Sequence, residues 1–143
     1  MTGTYNDHGI RFEYPDDWEV EETDVGEVMT VSVHSPNGPA FAVVTVDSSR
    51  PAPALVADQA LEAMREEYPA IDAAPAIETL HGHHAVGHDV EFLSLDLTNN
   101  CTIRCFRTER RTVLLFGQWS DIEGEDAAAT LAALRHSFAE TDA

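Results

Sequence analysis

The chain has 143 residues, of which 43% are hydrophobic, and its 26 acidic residues against 8 basic ones give a net charge of −18. This length and apolar content predict one folded globular domain, spanning residues 1–143, rather than a disordered chain. All eight basic residues are arginine. The acidity argues against partners such as nucleic acids or anionic membranes, because both attract basic surfaces.

The acidic excess has three explanations. It could keep the protein soluble by repulsion, or it could form a docking face for a basic partner. It could also reflect a halophilic cytoplasm, where salt screens the repulsion. The acids are densest in residues 13–27, which hold eight acidic residues and no basic one, but both halves of the chain are acidic. We favour the halophilic explanation for that reason.

From the sequence we expect neither an export signal nor a membrane-spanning segment. No apolar run approaches the ~18 residues that a transmembrane helix needs, and the first residues have neither a basic region nor an apolar stretch. Cys101 and Cys105 lie four residues apart, about 13 Å along a strand, which is too far for a disulfide. We therefore expect free thiols and a cytoplasmic location.

The first half of the chain predicts three strands and a helix. Residues 10–14 alternate and end at Pro15, and we expect residues 29–35 and 40–46 to form a hairpin around a Pro-Asn-Gly-Pro turn. Apolar residues then recur with a helical period from Pro53 to Tyr68, and Pro69 ends that helix.

The second half predicts four strands and a second helix. Strands over 76–80 and 85–97 are followed by a turn at Asn99 and Asn100, and strands over 101–108 and 112–119 follow. The strand over 85–97 has apolar residues on both faces, which predicts that both its sides are covered at the far end. The closing helix lies near residues 125–139.

The order of elements predicts an α+β fold, with a mainly antiparallel sheet of about six or seven strands covered by two helices. Tyr68 and Phe138 should be largely buried, and Trp18 should pack against the apolar side of the sheet. The two ends, residues 1–6 and 141–143, should be loose.

Several short motifs resemble the PsbP/Mog family. Residues 9–18 (GIRFEYPDDW) are similar to the opening of that family, with a strand, Tyr-Pro and then Trp. Residues 80–85 (LHGHHA) resemble the family's turn before its long strand, and the segment ending at Ser137 and Phe138 resembles its closing helix. The resemblance implies that the chain folds as an α/β/α sandwich and that it is one of the uncharacterised prokaryotic members of the family. It implies no catalytic residue, because the family shares no catalytic motif.

Four of the seven histidines lie within residues 81–88, where His83, His84 and His88 are candidates for a binding site. Imidazole is a common metal ligand, but strand alternation sends neighbouring side chains to opposite faces. A turn at Asn99 and Asn100 would also place His88 opposite Arg111, far from both cysteines. We therefore expect no specific metal and no cofactor.

The chain lacks a nucleophile elbow and a phosphate-binding glycine loop. Asp89 and Glu91 are the carboxylates that a strand could partly bury, although a salt bridge to an arginine such as Arg104 is the simpler expectation. The leading hypothesis is a non-enzymatic module that binds a protein partner. The alternative is a small-molecule or metal-binding protein, or an enzyme, with its site in residues 81–88.

The charge predicts that salt stabilises the protein. Repulsion among the excess carboxylates is screened as salt rises, so the melting temperature should increase between about 0.05 and about 2 M KCl. Thermal melts followed by circular dichroism measure the effect. An unchanged melting temperature would show that the charges are compensated locally, and it would remove the support for a halophilic source.

Overall fold

The computed structural model describes residues 2–68 and 70–141, which form ten strands and two helices. The strands are mainly antiparallel and the fold class is α+β, as the sequence predicts. Five strands precede the first helix, four follow it, and a short strand follows the second helix. In chain order the elements are β1 (Thr2–Asp7), β2 (Ile10–Pro15), β3 (Glu19–Val25), β4 (Val28–His34), β5 (Phe41–Asp47), α1 (Pro53–Glu67), β6 (Ile71–Leu80), β7 (His83–Ser94), β8 (Leu97–Arg107), β9 (Thr112–Ser120), α2 (Gly124–Ser137) and β10 (Ala139–Glu140).

The large sheet has seven antiparallel strands in the order β3-β4-β5-β9-β8-β7-β6. A smaller sheet, in the order β1-β2-β10, joins the start of the described chain to its end. Helix α1 packs on one face of the large sheet, against β7, β8 and β9. Helix α2 contacts β9 and β2, so it lies on the other face together with the small sheet.

Each face of the large sheet has its own apolar core. Under α1, the core includes Leu61, Phe92 and Ile103. On the other face, α2 and the small sheet bury Phe12, Val31 and the rest of a larger core. Strand alternation produces this division, because β4 and β5 turn every second residue towards the larger core.

Both helices lie close to their predicted bounds. Helix α1 starts at Pro53, where a missing amide hydrogen costs nothing, and Tyr68 follows its last turn. The predicted stop at Pro69 lies outside the described residues. Phe138 is buried and Trp18 packs against the larger core, as expected. Tyr68 is only half-buried, because it stacks on Phe92 at the margin of the smaller core.

The predicted turn at Asn99 and Asn100 is wrong. The chain reverses at Leu95 and Asp96, both with positive φ, and Ser94 pairs with Leu97. This register sets apolar positions opposite each other, including Val90 opposite Cys101 and Val86 opposite Cys105. Burial of Val90, Cys101 and Cys105 under α1 fixes the register, and it outweighs the cost of a leucine with positive φ.

The strand predicted over residues 85–97 instead runs from His83 to Ser94 as β7, and its far end is not covered on both sides. Leu93 and Leu95 are 67% and 93% exposed. His88 lies opposite Ile103 rather than opposite Arg111, and Cys105 lies opposite Val86 rather than Ser94.

The sequence analysis missed two long strands. Residues 2–6, expected to be loose, belong to β1, which pairs along its whole length with β2 and places Tyr5 opposite Phe12. Strand β3 was missed because four of its seven residues are acidic. It pairs with β4 and forms an edge of the large sheet.

The two edges of the large sheet carry different features. At one edge, β3 exposes Glu19, Glu21, Glu22 and Asp24. At the other edge, β6 contains Pro75 in its middle. Proline lacks a backbone donor and is tolerated only where the strand has no further partner, which is why the sequence-based strand began too late, at residue 76.

Glu78 connects α2 to the large sheet. Its Oε1 accepts hydrogen bonds from Arg104 Nε at 3.0 Å and from Arg135 Nε at 2.9 Å, and its Oε2 lies 3.0 Å from His136 Nε2. Burial alone would raise the pKa of Glu78, but Arg135 and Arg104 outweigh it and lower the pKa below its ordinary value. Arg104 also donates to Asp89 at 2.8 Å, as the sequence analysis expected.

The substitution Glu78→Gln should reduce the free energy of unfolding by about 1–3 kcal/mol near neutral pH, because the buried guanidinium of Arg104 and the half-buried one of Arg135 lose their shared carboxylate. The pKa of Glu78 is lowered on folding, so its contribution is complete above the ordinary value of 4.5 and is lost as the pH falls through the lowered pKa. Urea unfolding of Glu78→Gln and the unmodified protein, at about pH 7 and about pH 3, should show the difference shrinking in acid.

The matched control is Glu91→Gln, which removes the same charge from an exposed position on the neighbouring strand β7. It should change the unfolding free energy by less than about 0.5 kcal/mol. Equal effects of both substitutions would show that only net charge matters.

Candidate functional site

The face of the large sheet on which α1 packs is only half covered by that helix. Because α1 packs on β7, β8 and β9, the same face of β3, β4 and β5 carries side chains that are half-buried or exposed. We call this surface the open face. On β4 and β5 it consists of Thr30, Ser32, His34, Phe41, Val43 and Thr45.

A row of stacked rings crosses the open face. The ring of His34 lies 5.8 Å from that of Phe41, and Phe41 lies 5.9 Å from Phe116 on β9, with interplanar angles of 27° and 25°. His34 Nε2 also lies 3.3 Å from Ser32 Oγ. Cross-strand neighbours in β4, β5 and β9 supply the three rings, so strand pairing holds the row in place.

The row leads into a groove between α1 and the open face. The groove has a volume of about 480 Å³ and is mostly apolar. Its lining residues come from β5, β9 and the last two turns of α1 and its end: Phe41, Ala60, Ala63, Met64, Glu67, Tyr68, Phe116 and Gln118. Alanines at 60 and 63 keep the helix side of the groove open, and a volume of this order admits one or two large side chains.

The surroundings of the groove are acidic. Glu67 lies in its wall, and Glu19 and Glu21 project from β3 on the open face side. Strands β3, β4 and β5 contain no arginine, and the chain has no lysine. A cation would therefore be attracted to this face, and no fixed positive charge on these strands opposes it.

The structure does not bring the predicted histidine candidates together. His83 packs its ring against Phe106 at 5.1 Å on the α2 side of the sheet. His84 is exposed, and His88 Nε2 lies 3.0 Å from Asp58 Oδ1 on α1. Within residues 2–68 and 70–141, none of these imidazoles belongs to a group of three potential metal ligands.

The two cysteines are free and buried in the core under α1, as expected for apolar packing. Burial raises the pKa of Cys105 to about 12 and that of Cys101 further, so both remain protonated thiols. They are therefore poor nucleophiles and poor metal ligands in the folded state.

The sequence analysis missed Phe41, Phe116 and His34. A signal was present, because alternation in residues 40–46 sets Phe41, Val43 and Thr45 on the face opposite Ala42 and Val44. What the sequence did not reveal is how far α1 extends over that face, since this depends on the order of strands.

The fold has known counterparts. It is shared with PsbP. The solution structure of the cyanobacterial PsbP (CyanoP) from Synechocystis sp. PCC 6803 matches with a TM-score of 0.61 at 13% identity, covering 97% of this chain and 92% of the other. LpqN of Mycobacterium tuberculosis, involved in cell envelope biogenesis, matches with a TM-score of 0.60 at 16% identity, covering 99% and 91%.

A third similar structure is PA94 from Pseudomonas aeruginosa, a protein of unknown function described as a putative regulator. It has a TM-score of 0.50 at 17% identity, and the match covers 92% of each chain. No protein-family model and no curated protein matches the sequence. At these identities the similarity to PsbP, LpqN and PA94 concerns the fold alone. Among the described helices, neither is both long and apolar enough to cross a membrane.

Proposed function

We propose that the chain is a single-domain, non-enzymatic binding module, whose open face and groove hold an arginine-containing segment of a protein partner. The observation that carries this proposal is the row of stacked rings, which ends in a groove with a mostly apolar lining and acidic surroundings. Side chains of the partner supply both the apolar contacts and the positive charge.

The apolar part of the recognition comes from the groove. Phe41 and Phe116 lie on strands of the sheet and are half-buried. Met64 on α1 and Tyr68 just after the helix line the groove with them. A partner side chain inserted between them would bury aromatic surface on both sides. Centrally placed aromatic residues of this kind carry much of the binding energy in protein interfaces.

The charged part comes from the carboxylates around the rings. A guanidinium group can stack on an aromatic face while its edge donates hydrogen bonds to a carboxylate. Phe41 and Glu67 both line the groove and offer these two functions. The net charge of −18 would also speed encounter with a basic partner at low salt.

The cytoplasmic location, the halophilic source and the likeness to Mog stay predictions of the sequence. The free thiols of Cys101 and Cys105 are compatible with that location. No feature of the groove depends on it.

A short peptide in which arginine alternates with leucine tests the proposal. Its binding to isotope-labelled protein should shift the amide resonances of Phe41, Phe116 and Tyr68, and Phe41→Ser should weaken the affinity by about tenfold or more. Titrations followed by NMR measure both effects. A second peptide, with glutamate in place of every arginine, should not bind.

Leu93→Ser is the matched control, since it removes an apolar side chain that is 67% exposed and lies on the face of β7 opposite to Phe92, so it is turned away from the groove. It should leave peptide affinity unchanged. Glu67→Gln should weaken binding more than Glu66→Gln, because only Glu67 lines the groove. Shifts spread over the acidic surface, or equal losses in Phe41→Ser and Leu93→Ser, would contradict the proposal.

A further inference from the structure

The two sheets meet at a point where three potential metal ligands converge. The turn between β1 and β2 carries Asp7 and His8, and it lies beside Glu22 on the edge strand β3. One carboxylate oxygen of Asp7, one of Glu22 and one imidazole nitrogen of His8 lie within 4.8 Å of one another. These residues are exposed, and Glu22 is distant in sequence from the adjacent Asp7 and His8, so the fold brings it to them.

The turn is held firmly in this position. His8 and Gly9 have φ of 54° and 79°, as in a two-residue hairpin turn. Arg111 donates to the carbonyl oxygens of His8 and Gly9 at 3.0 and 2.9 Å, and the amide of Thr141 donates to Gly9 at 2.8 Å. The site is therefore built on backbone that is fixed from two other parts of the chain.

The ligand atoms lie slightly farther apart than the ligands of a bound ion, so small side-chain movements would close the site around one. His8 Nε2 lies 3.8 Å from Asp7 Oδ2 and 3.7 Å from Glu22 Oε2, which is too long for a hydrogen bond. A tetrahedral ion with bonds of about 2.0–2.2 Å separates its ligands by about 3.3–3.6 Å. Asp7 Oδ1 accepts from the His8 amide at 2.8 Å, which orients the carboxylate and leaves Oδ2 free.

A fourth polar group lies next to these ligands. Tyr5 is only 6% exposed, and within the described part of the chain its hydroxyl makes no well-formed hydrogen bond. The carboxylates of Glu22 and Asp7 lie beside it, and that of Glu22 is within reach of the hydroxyl, although the hydrogen bond between them is not well formed. A poorly satisfied buried hydroxyl is costly, and a water molecule on a bound ion would give it a better acceptor.

We propose that Asp7, His8 and Glu22 bind one divalent transition-metal ion, with the Tyr5 hydroxyl donating to a water on that ion. One imidazole and two carboxylates suit zinc or manganese rather than magnesium or calcium, which bind oxygen alone. Three protein ligands leave a coordination position open for this water. The site lies outside residues 81–88, and the proposal departs from the sequence-based expectation of no metal.

Isothermal titration with Zn²⁺, compared with Mg²⁺, tests the site. We expect one zinc per chain with micromolar affinity and no saturable binding of magnesium. His8→Asn should weaken zinc binding by about tenfold or more, while asparagine tolerates the positive φ and preserves the turn. Glu22→Gln should have a similar effect.

Two control variants separate this site from general acidity and from the other histidines. Glu21→Gln removes the same charge from the opposite face of β3, and His83→Ala/His84→Ala removes two of the histidines in residues 81–88. Both should leave zinc affinity unchanged. Absence of saturable zinc binding, or a loss that follows His83→Ala/His84→Ala instead of His8→Asn, would overturn the proposal.

The variant Tyr5→Phe gives a second test, because it should raise the melting temperature of the metal-free protein and lower its zinc affinity. It removes a buried hydroxyl that has no well-formed hydrogen bond, so the melting temperature of the metal-free protein should rise. Zinc affinity should fall by a few fold, because the donor to the bound water is lost. A variant with unchanged zinc affinity would show that Tyr5 has no part in the site.

Discussion

The width of the large sheet is the constraint on which the surface of this protein depends. Seven strands at about 4.8 Å spacing extend over about 29 Å, whereas one helix is about 10–12 Å across. On one face, α2 shares the work of covering the sheet with β1 and β2. On the other face α1 is alone, so β3, β4 and β5 keep their polar and aromatic side chains at the surface.

Local patterns predicted most of the fold. The helical period from Pro53 and the alternation around Val31 gave elements that the structure confirms, because both patterns reflect burial against one face. Strand β3 was not predicted, because its composition is acidic and it forms a strand through its pairing with β4. The turn at Leu95 and Asp96 escaped because long-range burial of the Cys101 segment fixed it, against local turn preference.

The surfaces that could function were harder to predict than the fold. Proximity in sequence drew attention to His83 and His84, but alternation places them on opposite sides of the sheet. Contacts between distant segments matter more, since His8 meets Glu22 only when the small sheet docks on the large one. Such sites are set by the order of strands, which a single sequence does not reveal.

The unequal edges of the large sheet determine how copies of this chain could polymerise. The carboxylates on β3 repel a second copy of the strand, which prevents edge-to-edge pairing. This repulsion weakens when salt screens the carboxylates or acid protonates them. Pro75 prevents pairing at the β6 edge because it lacks a backbone donor, and no change of solvent restores that donor. Of the two edges of the large sheet, β3 is then the one through which two copies could join, and such a pair would offer a third copy only β6 edges that Pro75 interrupts. Strand addition at the large sheet would end at a dimer instead of growing into a fibril.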